Sequence, residues 1–273
     1  VSVGPDAARY LIAGSGEPVA RPFNLRWLLP AICGDDLRLW RITWLASWPV
    51  TAVAAFWYAF GITGGWQVPV ATAVLLAALP GVLGPSAVRP VGVDLPALAV
   101  TLCAAALWTN GYPLLALVVG AWAATIKETQ PVWLALWVWS PWPLVLLAAP
   151  AMAALVRRPA LDRVTAQPNL KQIHDHPFRT ALLAHAGRWR DGWLMLAPWG
   201  ACVAALYRPT VQVAAVLAAA FSQLLVATDT VRLLHTAAGP VVALVAAQAI
   251  PIEWLPVVVI AGSVMWWRNP ELI

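Results

Sequence analysis

Ionisable residues are scarce in this sequence, and those at the ends of apolar stretches are where chemistry could be done. Lys127-Glu128 is the sharpest pair. It follows Gly120-Ala-Trp-Ala-Ala-Thr-Ile, a run of small residues suited to close helix packing, and precedes Pro131. A lysine there can hold a phosphate as a point charge, and the same position suits a snorkelling anchor. Asp229, Arg232 and His235 recur every third residue at the start of an apolar stretch, which reads as an intrahelical ion pair or as an anion site. His174-Asp175-His176 has no third and fourth ligand at metal-binding spacing, so no metal site is expected. Asp35-Asp36 fits the N-cap of a helix starting near Leu37 better than a metal-binding carboxylate pair. There is no Walker, GxSxG, HExxH or GxGxxG motif, which sets aside an ATPase, the usual serine hydrolase and a zinc protease.

The elements that must position these residues follow from composition. Of 273 residues, 61% are hydrophobic and 11% charged, with a mean hydropathy of +0.74. A soluble domain carries about 45–50% apolar and about 25% charged residues. The expected fold is all-α, a polytopic helical transmembrane bundle. About nine apolar stretches approach the roughly 20 residues that cross a bilayer: 40–61, 66–83, 94–109, 112–126, 131–156, 190–207, 209–227, 230–250 and 253–268. The stretch 131–156 contains Pro141, Pro143 and Pro150 and is expected as one kinked helix. The chain then divides into a polar N-terminal loop with an amphipathic helix (1–39), the first five transmembrane helices (40–156), a basic loop (157–189) and the last four (190–273). Within the basic loop, His176 to Ala186 is expected to form a helix on the membrane surface.

The net charge of +5 sits mostly in the two polar regions, so topology and anionic lipid explain it and no nucleic-acid partner is expected. Many of the 18 tryptophans lie at segment ends, as in interfacial belts. Cys33, Cys103 and Cys202 read as small buried hydrophobes. The chain opens on Val1, so its start is expected to be processed or preceded by an upstream part. Strict alternation of crossings sets residues 1–39, the turn Ser86–Asp94 and the turn Lys127–Gln130 on one face, gathering Asp6, Arg21, Arg26, Arg89, Asp94, Lys127 and Glu128. Such a face could hold an anionic lipid-linked substrate beside a carboxylate base, or it is polar only because turns are wet. Lys/Arg bias nearly ties between the two faces under that alternation and assigns no orientation.

In order, several stretches resemble the GT-C class of integral-membrane glycosyltransferases. Asp6-Ala-Ala-Arg-Tyr10-Leu-Ile-Ala and Pro22-Phe-Asn-Leu-Arg26-Trp-Leu-Leu-Pro30 are similar to the first outer loop of that class. Arg89-Pro-Val-Gly-Val-Asp94 is similar to its acidic turn, and Gly120 to Lys127-Glu128-Thr-Gln-Pro131 to its Gly-rich helix ending in lysine. Ala227-Thr-Asp229-Thr-Val-Arg232 through Pro240 is similar to its Asp-x-x-Arg helix start. The resemblance implies a polyprenyl-phosphate-sugar donor, membrane-lipid surroundings and work on the extracytoplasmic face of a bacterial plasma membrane, as part of cell-envelope chemistry. It implies Asp6 as general base on the acceptor hydroxyl. Lys127, Arg89 and Arg232 would neutralise the departing phosphate, with Arg26, Asp94 and Glu128 lining the substrate. No cofactor is implied, and a divalent metal is left open. The class has a helix before its first outer loop, which this chain lacks. Alternation puts Asp229 and Arg232 opposite Asp6, and one shared site would require a re-entrant segment among the sixth to eighth. The other reading is a non-catalytic polytopic membrane protein, transporter-like or a partner-binding subunit.

Overall fold

The computed structural model describes residues 5–79, 82, 92–157, 159, 164, 175–188, 199, 202, 210–225 and 230–267. The fold is all-helical, with no strand among the described residues. In chain order the α-helices are α1 Pro5–Gly14, α2 Leu28–Cys33, α3 Leu37–Thr63, α4 Gln67–Ala78, α5 Asp94–Thr109 and α6 Pro113–Ile126. There follow α7 Gln130–Trp137, α8 Ala148–Val156, α9 Pro177–Arg188, α10 Val211–Ser222, α11 Thr230–Ala249 and α12 Leu255–Trp267. α9 covers the surface helix expected within the basic loop.

α3 begins where the sequence says it should. The Asp36 carboxylate accepts from the Arg38 backbone N–H at 2.7 Å, closing an N-cap. Gly64, at φ 62°, takes the left-handed turn that ends the helix. α5 runs parallel to α3. At one end Trp44 packs on Gly92; at the other Gly61 meets Thr109, and Asn110 Nδ2 donates to the Trp57 carbonyl at 2.8 Å. α4 returns antiparallel, with Trp48 Nε1 on the Ala77 carbonyl at 3.1 Å. Alanine lines the contacts (Ala55, Ala59, Ala104 and Ala105 are fully buried), so backbones approach closely. A Cβ on Gly61 would lie 2.7 Å from the Thr109 carbonyl carbon, and backbone cannot swing aside. Gly61→Ala is therefore expected to lower stability by about 1–3 kcal/mol, read as a lower thermal midpoint of the purified protein.

The stretch 131–156 corrects the sequence expectation of one kinked helix. α7 stops at Trp137, Trp139 turns with φ 51°, and a 3₁₀ turn over Trp142–Leu147 leads into α8. The cause is local. Pro141 disfavours helix at Ser140, and Pro143 follows at once, so the i→i−4 ladder cannot continue. The two halves lie side by side: Leu134 and Leu146 both sit on Gly120, 2.9 and 2.7 Å from where its Cβ would be. The segment comes back to where it started. Arg157, just beyond α8, accepts from Asn24 Nδ2 through its carbonyl at 2.9 Å, and its guanidinium lies 5.3 Å from the Trp27 ring.

α1 and α2 lie across the end of the bundle where α3 and α5 begin and α6 ends. Tyr10, Ile12, Phe23, Leu29 and Cys33 pack there against Trp40, Val93, Ala97 and Ile126. Trp40 Nε1 donates to the Gly34 carbonyl at 3.0 Å, and Gly14 abuts that same carbonyl, leaving no room for a side chain. At the other side of the core, Trp137 Nε1 donates to the Ala237 carbonyl at 2.8 Å, and Gln212 Nε2 donates to the Leu136 and Trp137 carbonyls. One described helix, α3, is long and apolar enough to cross a membrane, and the bent pair Ala237–Ala249 and Ile252–Ala261 makes a second if read as one span. Helices α4, α5, α6, α10 and the stretch Trp142–Val156 are apolar but shorter.

Candidate functional site

The charged residues meet beneath the N-terminal cap. Asp94 occupies the first turn of α5 and Lys127 the residue after α6, so each sits at the helix end whose dipole favours its charge. Their side chains join at 2.7 Å, Lys127 Nζ donating to Asp94 Oδ1, with Lys127 only 3% exposed. The next residue reaches the other way. Glu128 accepts a fork from Arg26, whose Nε and Nη2 each lie 2.7 Å from a carboxylate oxygen. Arg26 spends Nη1 on the Tyr10 hydroxyl at 2.9 Å. One turn back on α1, Arg9 donates to Asp6 Oδ1 at 3.2 Å. The Phe23 ring lies beside both guanidinia, at 4.8 Å from Arg9 and 5.5 Å from Arg26.

Burial opposes ionisation of Glu128, Arg26 and Tyr10, and for Glu128 and Arg26 their mutual pairing decides the outcome. Burial alone would raise the Glu128 carboxyl. The Arg26 charge and its hydrogen bonds outweigh that and hold it below the usual carboxylate value. Arg26 is likewise disfavoured by burial but held firmly cationic by Glu128. Burial pushes the Tyr10 hydroxyl well up; Arg26 opposes this, while Asp94 and Asp6 add to it, so both carboxylates act on one phenol. The Glu128 pairing has a pH signature. Its folded pKa lies below the unfolded one, so its contribution is complete above the unfolded value of about 4.3 and is lost as pH falls through the folded value. The thermal midpoint is expected to stay level from about pH 8 to 5 and fall below that. Glu128→Gln is expected to lower the midpoint at neutral pH, with the difference from wild type shrinking towards acid.

Asp6, Arg26, Asp94, Lys127 and Glu128 are thus brought together from three separate stretches of sequence. Arg89 and Asp229 lie outside the described residues, as does the Arg232 side chain; Arg232 itself lies in the first turn of α11. Among the described residues no His, Cys, Asp and Glu group could hold a metal ion. Sequence reasoning missed Arg9, Tyr10 and Gln130. Arg9 and Tyr10 stand three and four residues after Asp6, the spacing of one helical face. An amphipathic helix is expected within 1–39, and on it that spacing was signal enough to single out both residues. Gln130 is fully buried and bonds to Thr101 Oγ1 at 2.7 Å. In the sequence it is only a polar residue in a turn, and nothing marks it.

The returning segment also moves charge. Its end at Arg157 adjoins the cap, so the basic stretch starts on the Asp6 side and not, as alternation implies, on the opposite side. Around the cap lie Arg9, Arg21, Arg26, Arg38, Arg41, Lys127 and Arg157. The turns 63–66, 109–112 and 138–141 at the other end carry no Lys or Arg. No protein-family model, curated protein or solved structure matches this chain.

Proposed function

We propose that the chain is a polytopic integral membrane protein of a bacterial plasma membrane, built on about nine apolar segments of which 131–156 enters and returns. We propose further that it is a glycosyltransferase moving a sugar from a polyprenyl phosphate to a lipid, glycan or protein acceptor. Membrane embedding is supported by the outward faces of the helices. Ile42, Trp57, Leu114, Trp122 and Leu155 are all exposed, on α3, α6 and α8, and large apolar side chains on outward helix faces suit a lipid environment.

The observation that supports transfer chemistry is the convergence of Asp6, Tyr10, Arg26, Asp94, Lys127 and Glu128 at one end of an apolar bundle. In this reading Asp6, the most exposed of the paired carboxylates, takes the proton of the acceptor hydroxyl. The Arg26 guanidinium has five N–H groups and gives three of them to Glu128 and Tyr10, leaving two for a phosphate oxygen. Lys127 is the nearby cation that would offset the negative charge developing on the departing lipid phosphate as the anomeric C–O bond breaks. Arg89 and Arg232 are further candidates for that role. No cofactor is needed for displacement at an anomeric carbon by a hydroxyl.

A specific observation favours the non-catalytic reading. Among the described residues seven Lys and Arg lie around the cap and the turns 63–66, 109–112 and 138–141 hold none, which by the positive-inside rule favours a cytoplasmic cap. Polyprenyl-phosphate sugars would then be on the wrong side. Cysteine labelling at the exposed Ser15 in intact cells, with Cys33, Cys103 and Cys202 replaced, separates the two. Glycosyl transfer as drawn requires labelling from outside. Protection until the cells are opened sinks it and leaves a membrane subunit whose ion pairs fasten the cap.

A further inference from the structure

The returning segment leaves the bundle on an unmatched cation. Arg157 follows α8 and is exposed. Asn24 Nδ2 holds its carbonyl at 2.9 Å, and its guanidinium lies 5.3 Å from the centre of the Trp27 ring. Trp27 is half-buried, so the cation–π contact fixes where the guanidinium stands without covering it. Among the described residues that guanidinium makes no ion pair, whereas Arg9, Arg26 and Lys127 each meet a carboxylate. Both stretches that meet here are free of acid. Residues 18–34 and 129–161 contain no Asp or Glu, and their other charged residues are Arg21, Arg26 and Arg158. Arg26 is neutralised by Glu128, and Arg21 is exposed. The junction between cap and returning segment therefore carries a positive charge that no side chain of either stretch offsets.

One turn back along α8 the surface is apolar. Met152, Leu155 and Val156 are exposed, three and four residues apart on one face. A guanidinium is a planar donor for phosphate oxygens, and the face behind it matches an acyl chain. Free phosphate would use the first and leave the second bare. A zwitterionic lipid brings its own cation, and the acid-free stretches offer that cation no partner. An anionic phospholipid satisfies both parts. We propose that Arg157 and Trp27 form a site for such a lipid, its phosphate on the guanidinium and an acyl chain along Met152, Leu155 and Val156. The two residues come from different elements, Trp27 from the cap and Arg157 from the returning segment. The lipid therefore binds only when 131–156 has come back to the cap, and by mass action it stabilises that arrangement. The site rests on the membrane embedding proposed above and not on glycosyl transfer.

The test uses the full chain, purified in a maltoside detergent and titrated with dioleoyl-phosphatidylglycerol, dioleoyl-phosphatidylcholine or inorganic phosphate. Bound lipid is counted by native mass spectrometry, and the thermal midpoint is followed alongside. Phosphatidylglycerol is expected to bind more tightly than phosphatidylcholine and to raise the midpoint, and phosphate alone to leave it unchanged. Arg157→Gln is expected to weaken phosphatidylglycerol about fivefold, the worth of one arginine at an anionic surface. Trp27→Leu, which removes the ring that places the guanidinium, is expected to weaken it about two- to fivefold, and it carries the comparison if Arg157→Gln does not accumulate. Arg38→Gln removes the same charge from an exposed position on α3 and should leave the affinity as it is. The proposal is overturned by equal affinity for the two lipids, or by a phosphate effect as large as that of the lipid. Wild-type affinity in Arg157→Gln and Trp27→Leu, or a loss in Arg38→Gln equal to that in Arg157→Gln, overturns it too. Carbonate extraction of cell membranes checks the embedding separately. A chain that stays in the pellet while Arg157→Gln binds like wild type loses only this site. A chain released to the supernatant loses the embedding and the site with it.

Discussion

Lys127→Met is expected to destabilise the protein by about 3–5 kcal/mol, more than any other single change at this site, because it takes the Lys127 charge from beside the buried Asp94 carboxylate. The complementary double variant tells more. Lys127→Met with Asp94→Leu replaces two buried charges by apolar groups of similar size, and such exchanges are commonly neutral or stabilising. Denaturation of the purified protein should therefore show most of the loss recovered. If Lys127 offsets the charge of a departing lipid phosphate, transfer of a radiolabelled sugar from a polyprenyl phosphate should not recover. Recovery of stability and activity together would make the pair a fastening between α5 and α6 and nothing more. A double variant no more stable than Lys127→Met would mean that the two side chains do not act as a pair.

Asp6→Asn is expected to have the opposite profile. The Asp6 side chain is 36% exposed while its partner Arg9, one turn on, is only 9% exposed, so Asp6→Asn is expected to cost about 1–3 kcal/mol, more than a surface pair and less than a fully buried one. The protein should still fold. If Asp6 takes the acceptor proton, transfer should fall by about 10²–10⁴-fold, with kcat affected more than the KM for donor. Wild-type transfer rates in Asp6→Asn would remove Asp6 from the mechanism. A large loss of stability would show that its role is to hold α1.

What could be read from the sequence was the segregation of charge. Water and bilayer admit ionised groups only at the ends of apolar helices, so counting segments was enough to bring Asp6, Arg26, Asp94, Lys127 and Glu128 to one end. The Asp36 cap could be read for the same kind of reason, since an N-cap is a local bond between neighbours. The pairing was not legible. Which carboxylate takes which cation depends on the relative height of α5 and α6 and on where α1 lies, and no local rule fixes either. The turn at 138–141 was within reach of sequence rules, because Pro141 and Pro143 stand two residues apart. The missed step was to treat them as a kink. A kink keeps the helix axis going, whereas here the chain reverses, and what permits reversal is the bare Cα of Gly120 receiving Leu134 and Leu146 together.

That reversal decides the parity of everything that follows it. In the proposed membrane reading, a stretch that goes in and comes back would add nothing to the count of crossings, so residues 128 and 157 would report the same compartment, and every later segment would have the opposite sense from the one simple counting assigns. Reporter enzymes fused at those two positions would agree where a spanning helix would make them disagree. If the proposed membrane topology holds, removing the reversal, by deleting the loop or replacing Pro141 and Pro143 with helix formers, would not merely straighten one element: it would invert the whole C-terminal half of the protein across the bilayer.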